Sequence, residues 1–97
     1  MTSGLPGLDT RWTIDDKVRY RQVLDEAVVI HQERAEALVI SESAHAFLAC
    51  CERQLNLEEI VRDLMSTYDV SEDQLLKDLS SCICDMESRD IIHRMDS

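Results

Sequence analysis

The segment from Ser71 to Glu87 constrains the fold most, because its apolar residues recur at the spacing of one helix face. These apolar residues are Leu75, Leu76, Leu79, Cys82, Ile83 and Met86. On a helical wheel of about 100° per residue they fill an arc of roughly 120°, which predicts an amphipathic helix with one buried face. Ser71 is suited to cap its start, since a serine hydroxyl accepts a hydrogen bond from a free backbone N–H group. Asp78 and Asp85 share one shoulder of the apolar face.

Two segments upstream have the same helical periodicity. Ser41 or Ser43 can cap a helix in SESAHAFLACCE, and Asn56 can cap a second helix in LEEIVRDLMSTY. Only a few residues separate the three helices, so they must pack as close neighbours within one domain.

Three short segments ahead of the helices have the pattern of strands. Residues 17–23, KVRYRQV, alternate charged and apolar side chains with the period of two that a half-buried strand shows. Residues 27–31, AVVIH, are rich in β-branched side chains, and residues 36–40, EALVI, can return as an antiparallel neighbour. The alternative is that residues 33–37, which include good helix formers, extend a helix. The sequence predicts an α+β fold resembling a winged helix-turn-helix, with a three-stranded antiparallel sheet followed by three helices.

The two ends of the chain define the predicted domain limits. Residues 1–10 hold both glycines and the only proline, so we expect residues 1–15 to form a flexible segment and residues 16–97 to form the folded domain. Near the other end, Ile91 and Ile92 are an apolar pair suited to close the bottom of the core.

The net charge limits the partners of the chain. Twenty acidic residues against ten Lys and Arg give a net charge of -10 at pH 7, and so negative a surface repels nucleic-acid phosphates and anionic lipid headgroups. No apolar run approaches the roughly 18 residues that a membrane span needs, and the N-terminus lacks the pattern of a signal peptide. We therefore expect a cytoplasmic protein that binds neither nucleic acid nor membrane.

The reactive side chains are not arranged for catalysis or metal binding. Cys50 and Cys51 are adjacent on a predicted helix and would point about 100° apart, while Cys82 and Cys84 would point about 200° apart. Neither pair has the C-x2-C spacing typical of zinc sites, and the three histidines have no mutual spacing of a ligand set. A Gly-rich phosphate loop is also missing. The sequence thus predicts a non-enzymatic protein without metal or cofactor, whose cysteines are reduced thiols.

The segment from Ala37 to Ile92 resembles the PqqD family, also called the RiPP recognition element. The family pattern has a strand ending in an apolar residue and then Asn, a Thr or Ser two places later, a capped helix with a Val-x-x-Ile stripe, and an acidic residue midway along the last helix. The matching positions in this chain are Ile40, Ser41, Ser43, Asn56, Leu57, Ile60 and Asp78. The chain departs from the family pattern at Arg53 and Asp90, where glycine is usual. It also departs at Ala35 and Ala37, where related chains often carry glycine and an aromatic residue.

The resemblance implies a non-catalytic module that recognises peptides. In the family, the leader region of a precursor peptide adds as an extra strand to the third strand and lies in a groove beside the last helix. By this resemblance the strand edge comprises Ala37, Leu38, Val39 and Ile40, and the facing wall comprises Leu75, Asp78, Leu79 and Cys82. The expected partners are a precursor leader peptide and a peptide-modifying enzyme of the radical SAM, cyclodehydratase or protease type.

Two alternative functions also fit parts of the sequence. A winged-helix regulator of the transcription type would need a basic recognition helix, whereas the last helix is strongly acidic. A small acidic protein-interaction domain is the other alternative. Lys17, Arg19 and Arg21 alternate along the first strand in a way typical of edge protection, and they would also suit an acidic partner. The edge strand further permits a homodimer through strand pairing.

Overall fold

The computed structural model describes residues 7–24 and 26–95. In chain order the elements are β1 (Arg11–Ile14), β2 (Val18–Val23), β3 (Glu26–His31), β4 (Glu36–Ile40), α1 (Glu42–Glu52), α2 (Leu57–Thr67), α3 (Glu72–Ser88) and β5 (Ile92–Met95). The predicted α+β class, with a three-stranded antiparallel sheet followed by three helices, is confirmed. Within the described ranges, none of the helices has the length and apolar character needed to traverse a bilayer.

The three-stranded sheet has the order β2-β3-β4, so β3 is central and the other two strands are edges. Val29 of β3 lies opposite Tyr20 of β2 and Leu38 of β4. Because side chains directly opposite one another share a face of the sheet, these three residues lie on the inner face, where Val29 is fully buried. The whole of β4 pairs with β3 from Glu36 to Ile40, so the helical alternative for residues 33–37 is wrong.

Each helix begins after the residue that caps it. The hydroxyls of Ser41 and Ser71 each accept a hydrogen bond from the backbone N–H three residues later, at 3.2 Å. Asn56 and Glu59 form a reciprocal capping box, with both hydrogen bonds at 2.9 Å. Such caps typically stabilise a helix by about 1 kcal/mol each, and they explain why the helix starts are visible in the sequence.

The core lies between the inner face of the sheet and the three helices. Its largest fully buried side chains are Trp12, Val29, Phe47, Leu48, Leu57, Ile60, Leu64, Leu79, Ile83, Met86 and Ile92. Trp12 meets the ring of Phe47 edge to face at a centroid distance of 5.2 Å. Its indole N–H donates to a carboxylate oxygen of Glu87 in α3 at 3.0 Å, so the single tryptophan connects β1 to the last helix.

The folded unit begins earlier than the predicted limit at residue 16. Residues 1–6 lie outside the described residues, but Arg11–Ile14, which the prediction assigned to a flexible segment, form β1 and pair antiparallel with β5. The carbonyls of Leu8 and Thr10 accept hydrogen bonds from backbone N–H groups of the first turn of α2, at 3.0 and 2.9 Å. These contacts satisfy donors that a helix start leaves open, so the segment before β2 is part of the fold from at least Leu8 onwards.

Candidate functional site

A groove of about 610 Å³ lies between the outer edge of β4 and the helix α3. It is lined by Leu38, Val39, Ile40, Ser41, Ser43, Ala44, Asp78, Ser81, Cys82, Asp85 and Met86. Within the part of the chain that the structure describes, β4 has a strand neighbour on one side only. The backbone groups of its other edge therefore have no strand partner among the described residues, and an edge of this kind is open to pairing with a further strand.

The local sequence explains how the β4 side of the groove is formed. Alternation along β4 turns Leu38 and Ile40 inward, where they are partly buried against the core, and leaves the side chain of Val39 62% exposed. A single residue, Ser41, separates β4 from α1, so Ser43 and Ala44 at the start of α1 line the groove as well. The β4 edge is thus apolar and fixed in position by its neighbours in the chain.

The α3 side of the groove follows from helical spacing. Asp78, Cys82 and Asp85 are separated by four and three positions, so they lie along one stripe of the helix. The opposite side of α3 packs into the core through its buried residues. α3 therefore presents a polar and partly acidic wall to the groove while its apolar face holds it in place.

Five of the eight residues predicted for the site line this groove. They are Leu38, Val39, Ile40, Asp78 and Cys82. Ala37 is exposed on β4 one residue before the lining begins. Leu75 and Leu79 do not line the groove; they are only 3% and 0% exposed and belong to the hydrophobic core. Their contribution is to position α3 rather than to form its exposed wall.

The groove also contains residues that the sequence analysis did not assign to the site. They are Ser41, Ser43, Ala44, Ser81, Asp85 and Met86. Ser81, Asp85 and Met86 follow Asp78 by three, seven and eight positions, so helical periodicity could have grouped them with it. The residues at the start of α1 join the groove only through the tight turn after β4, which no periodicity shows.

Comparison with protein families shows to which family the chain belongs. The family model for coenzyme PQQ synthesis protein D (PqqD) matches residues 26–92, which is more than two thirds of the chain. The chain belongs to the PqqD family. The matched range runs from the first residue of β3 to the first residue of β5, so it contains both sides of the groove.

A solved structure similar to this PqqD-family chain is that of TbiB1 in complex with the TbiA(beta) leader peptide. The two share 19% sequence identity and a TM-score of 0.75, over 88% of this chain and 99% of that chain. At this level of identity the likeness shows a common fold. A search of curated proteins gives no match.

The charged groups of the PqqD-family groove are both carboxylates. Asp85 accepts a hydrogen bond from the guanidinium Nε of Arg89 at 3.1 Å, one helical turn further along α3. Asp78 accepts a hydrogen bond from the side-chain amide of Gln74 at 3.0 Å. One carboxylate therefore has a cationic neighbour, whereas the other is held by a neutral amide.

The Cys82 thiol in the groove is not activated as a nucleophile. Burial raises the pKa of Cys82 to about 12, and the nearby Asp85 carboxylate contributes to this rise. At neutral pH the thiol thus stays protonated, and a protonated thiol is a poor nucleophile. Cys82 acts as a small apolar part of the wall. Among the described residues, no group of three or more His, Cys, Asp or Glu side chains is placed to hold a metal ion.

Proposed function

We propose that this chain binds the leader region of a ribosomally made precursor peptide and presents it to a peptide-modifying enzyme. The observation that carries the proposal is the apolar edge of β4, which faces α3 across the groove and has no strand neighbour there among the described residues. Membership of the PqqD family supports it. The structure of TbiB1, which has the same fold, was solved with a leader peptide.

In the proposed mode of binding, the leader extends the sheet as a fourth strand. Residues 37–40 provide the backbone edge, and the exposed parts of Asp78, Ser81 and Cys82 contact leader side chains that point towards α3. Strand addition uses main-chain hydrogen bonds for affinity and side-chain pockets for selectivity. Leu75 and Leu79 support the site from within the core.

Simple energetics indicate the affinity to expect. Each new main-chain hydrogen bond contributes about 1 kcal/mol net, and each of two or three apolar anchors contributes about 1.5 to 3 kcal/mol. Ordering a disordered leader opposes binding by several kcal/mol. The expected dissociation constant therefore lies roughly between nanomolar and tens of micromolar, which allows the leader to be released after modification.

The proposed role leaves the chemistry to the partner. A binding module needs no activated nucleophile, and the protonated Cys82 thiol in the groove agrees with that role. The partner would be an enzyme of the radical SAM, cyclodehydratase or protease type, which acts on the part of the precursor beyond the leader.

A selection from random peptides tests the proposal and does not require the natural precursor. The purified chain is immobilised and used to select binders from a displayed library of random peptides, and the best binder is titrated by fluorescence anisotropy. We expect a saturable interaction with a dissociation constant between nanomolar and tens of micromolar. Failure of the wild-type chain to enrich any peptide would overturn the proposed function.

A groove-filling variant locates the binding site. Ser81 and Cys84 are both exposed small residues of α3, but only Ser81 lines the groove. We expect Ser81→Trp to weaken binding of the selected peptide by about tenfold or more, because the indole occupies the path of the added strand. Cys84→Trp is the matched control and should leave affinity and thermal stability nearly unchanged. Equal affinities of the two variants would place the peptide elsewhere.

A further inference from the structure

The charge of the groove specifies the kind of peptide that fits it. Asp78 and Asp85 are the charged residues that line it in the described structure, and no Lys or Arg lines it. The other lining residues are apolar, hydroxyl or thiol side chains. Any ligand in the groove therefore meets negative charge on the α3 side and uncharged groups on the β4 side.

The two carboxylates differ in how far they are neutralised. Asp85 already has an ion pair with Arg89. The ion pairs among the described residues do not include Asp78, whose side chain is held only by the neutral amide of Gln74. Lys77 is adjacent in sequence, but neighbouring residues on a helix point about 100° apart. Asp78 thus lies in the groove without a cationic partner from the described part of the chain.

Peptide binding changes the environment of this carboxylate. Asp78 is exposed in the free protein, so water solvates its charge. A strand laid between β4 and α3 would cover it and remove part of that water, and a carboxylate deprived of water without a positive partner is costly. A ligand that places a cation beside Asp78 offsets this cost more fully than a neutral donor does, because a hydrogen bond between two charged groups is the stronger one.

We propose that the leader carries a Lys or Arg whose side chain pairs with Asp78, so that the groove selects basic leaders. This inference rests on the proposed function. The groove beside the β4 edge is the binding site, and the Asp78 carboxylate determines which peptides it prefers. The net charge of -10 acts in the same direction, because a strongly negative surface accelerates the approach of a basic peptide.

The peptide selection tests this inference when it is repeated with charge variants of α3. With the wild-type chain we expect enrichment of Lys or Arg at one fixed position of the selected peptides. With Asp78→Asn that enrichment should disappear, and with Asp78→Lys it should change to Asp or Glu. Asp73 is also exposed on α3 but does not line the groove, so Asp73→Asn and Asp73→Lys are controls with the same changes in net charge.

Titrations with the selected peptide measure the size of the effect. Asp78→Asn should weaken binding about tenfold, since the acceptor loses its negative charge and the hydrogen bond is no longer between two charged groups. Replacing the peptide's cation by methionine should have the same effect, and the two changes together should cost little more than either alone. Asp73→Asn should change the affinity by less than about twofold. Thermal melting of each variant checks that the fold is retained.

The outcomes separate the inference from the proposed function. Selected peptides that bind the groove but show no preference for a cation would overturn the inference and leave the proposed function in place. So would equal effects of Asp73→Asn and Asp78→Asn, because they would indicate a general charge effect rather than a pair. If the wild-type chain selects no peptide, both the proposed function and the inference fail.

Discussion

The two edges of the same sheet differ in what their side chains allow. The β4 edge is apolar from Ala37 to Ile40 and has α3 alongside it. The β2 edge carries Arg19 and Arg21, both exposed, and follows directly on Lys17. Both edges have unpaired backbone groups in the described structure. The comparison shows that side chains and neighbouring elements, rather than the backbone, determine which edge can accept another strand.

The cations of β2 are available to repel an approaching strand. In the described part of the chain, Arg19 donates its hydrogen bonds to the backbone carbonyls of Asp16 and Val18, and neither Arg19 nor Arg21 takes part in an ion pair. Charged side chains of this kind are a common device against unwanted edge pairing. β4 lacks such a device, which agrees with its proposed role.

The largest effect is expected when β4 receives an arginine of the kind that β2 carries. Val39→Arg places a long cation at an exposed groove position, and it should weaken binding of the selected peptide by about tenfold or more through steric and charge conflict. Ile30→Arg is the control, since Ile30 is also an exposed aliphatic residue of the sheet, at 43%, but lies outside the groove. Isothermal titration provides the measurement, and an unchanged affinity of Val39→Arg would contradict strand addition at β4.

Hydrogen exchange measures which of the two edges a peptide protects, without any mutation. On addition of the selected peptide, backbone amides within residues 37–40 should exchange at least about fivefold more slowly, because a new strand protects the amides that point away from β3. Amides within residues 18–23 of β2 should exchange at an unchanged rate. Mass spectrometry or NMR follows the exchange, and protection of β2 in place of β4 would reverse the assignment of the two edges.

Removing the cations should make the two edges more alike. We expect Arg19→Thr combined with Arg21→Thr to promote weak self-association, because an uncharged edge can pair with a second copy. Arg62→Thr with Lys77→Thr changes the net charge equally at exposed helical positions and serves as the control. Sedimentation equilibrium measures the effect, and identical behaviour of the two double variants would show that the β2 cations do not protect the edge.

The smallest expected effect concerns the turn that positions β4. Ala35 has a φ of 53°, a left-handed conformation that costs a residue with a Cβ roughly 1 kcal/mol. Ala35→Gly should therefore raise the free energy of unfolding by about 0.5 to 1 kcal/mol, measured by urea denaturation. Ala37→Gly, within β4, should lower it by a similar amount. A loss of stability in Ala35→Gly would contradict this account of the turn.

Local signals made much of the fold predictable. The three strands of the sheet and the three helices were found because alternation, β-branched runs and capping residues such as Ser71 and Asn56 act over only a few residues. The pairing of β1 with β5 was not found. Each of these strands has four residues, and their partners are some 80 positions apart in sequence, as in the pair of Trp12 with Arg94, so no local pattern reveals them.

The candidate site was only partly predictable for a related reason. Periodicity identifies the apolar face of α3, but it does not show which part of that face meets the core and which part borders a groove. The resemblance likewise placed Leu75 and Leu79 in one wall with Asp78 and Cys82, although both leucines are buried. The left-handed conformations of Ala35 and Asp90 fall at two of the three positions where the family pattern has glycine, whereas at the third, Arg53, φ is -81° and the left-handed residue is the next one, Gln54.

The hydrogen bond between Trp12 and Glu87 allows the intrinsic tryptophan fluorescence to report on the position of α3. Trp12 is the single tryptophan, it is 1% exposed, and its indole is tied to the C-terminal part of α3. Its fluorescence emission should keep its wavelength if α3 stays rigid when a peptide enters the groove. A red shift would indicate that α3 moves away from Trp12 and that water reaches the indole. The emission spectrum can therefore distinguish a groove that is already formed in the free protein from one that forms only when the peptide binds.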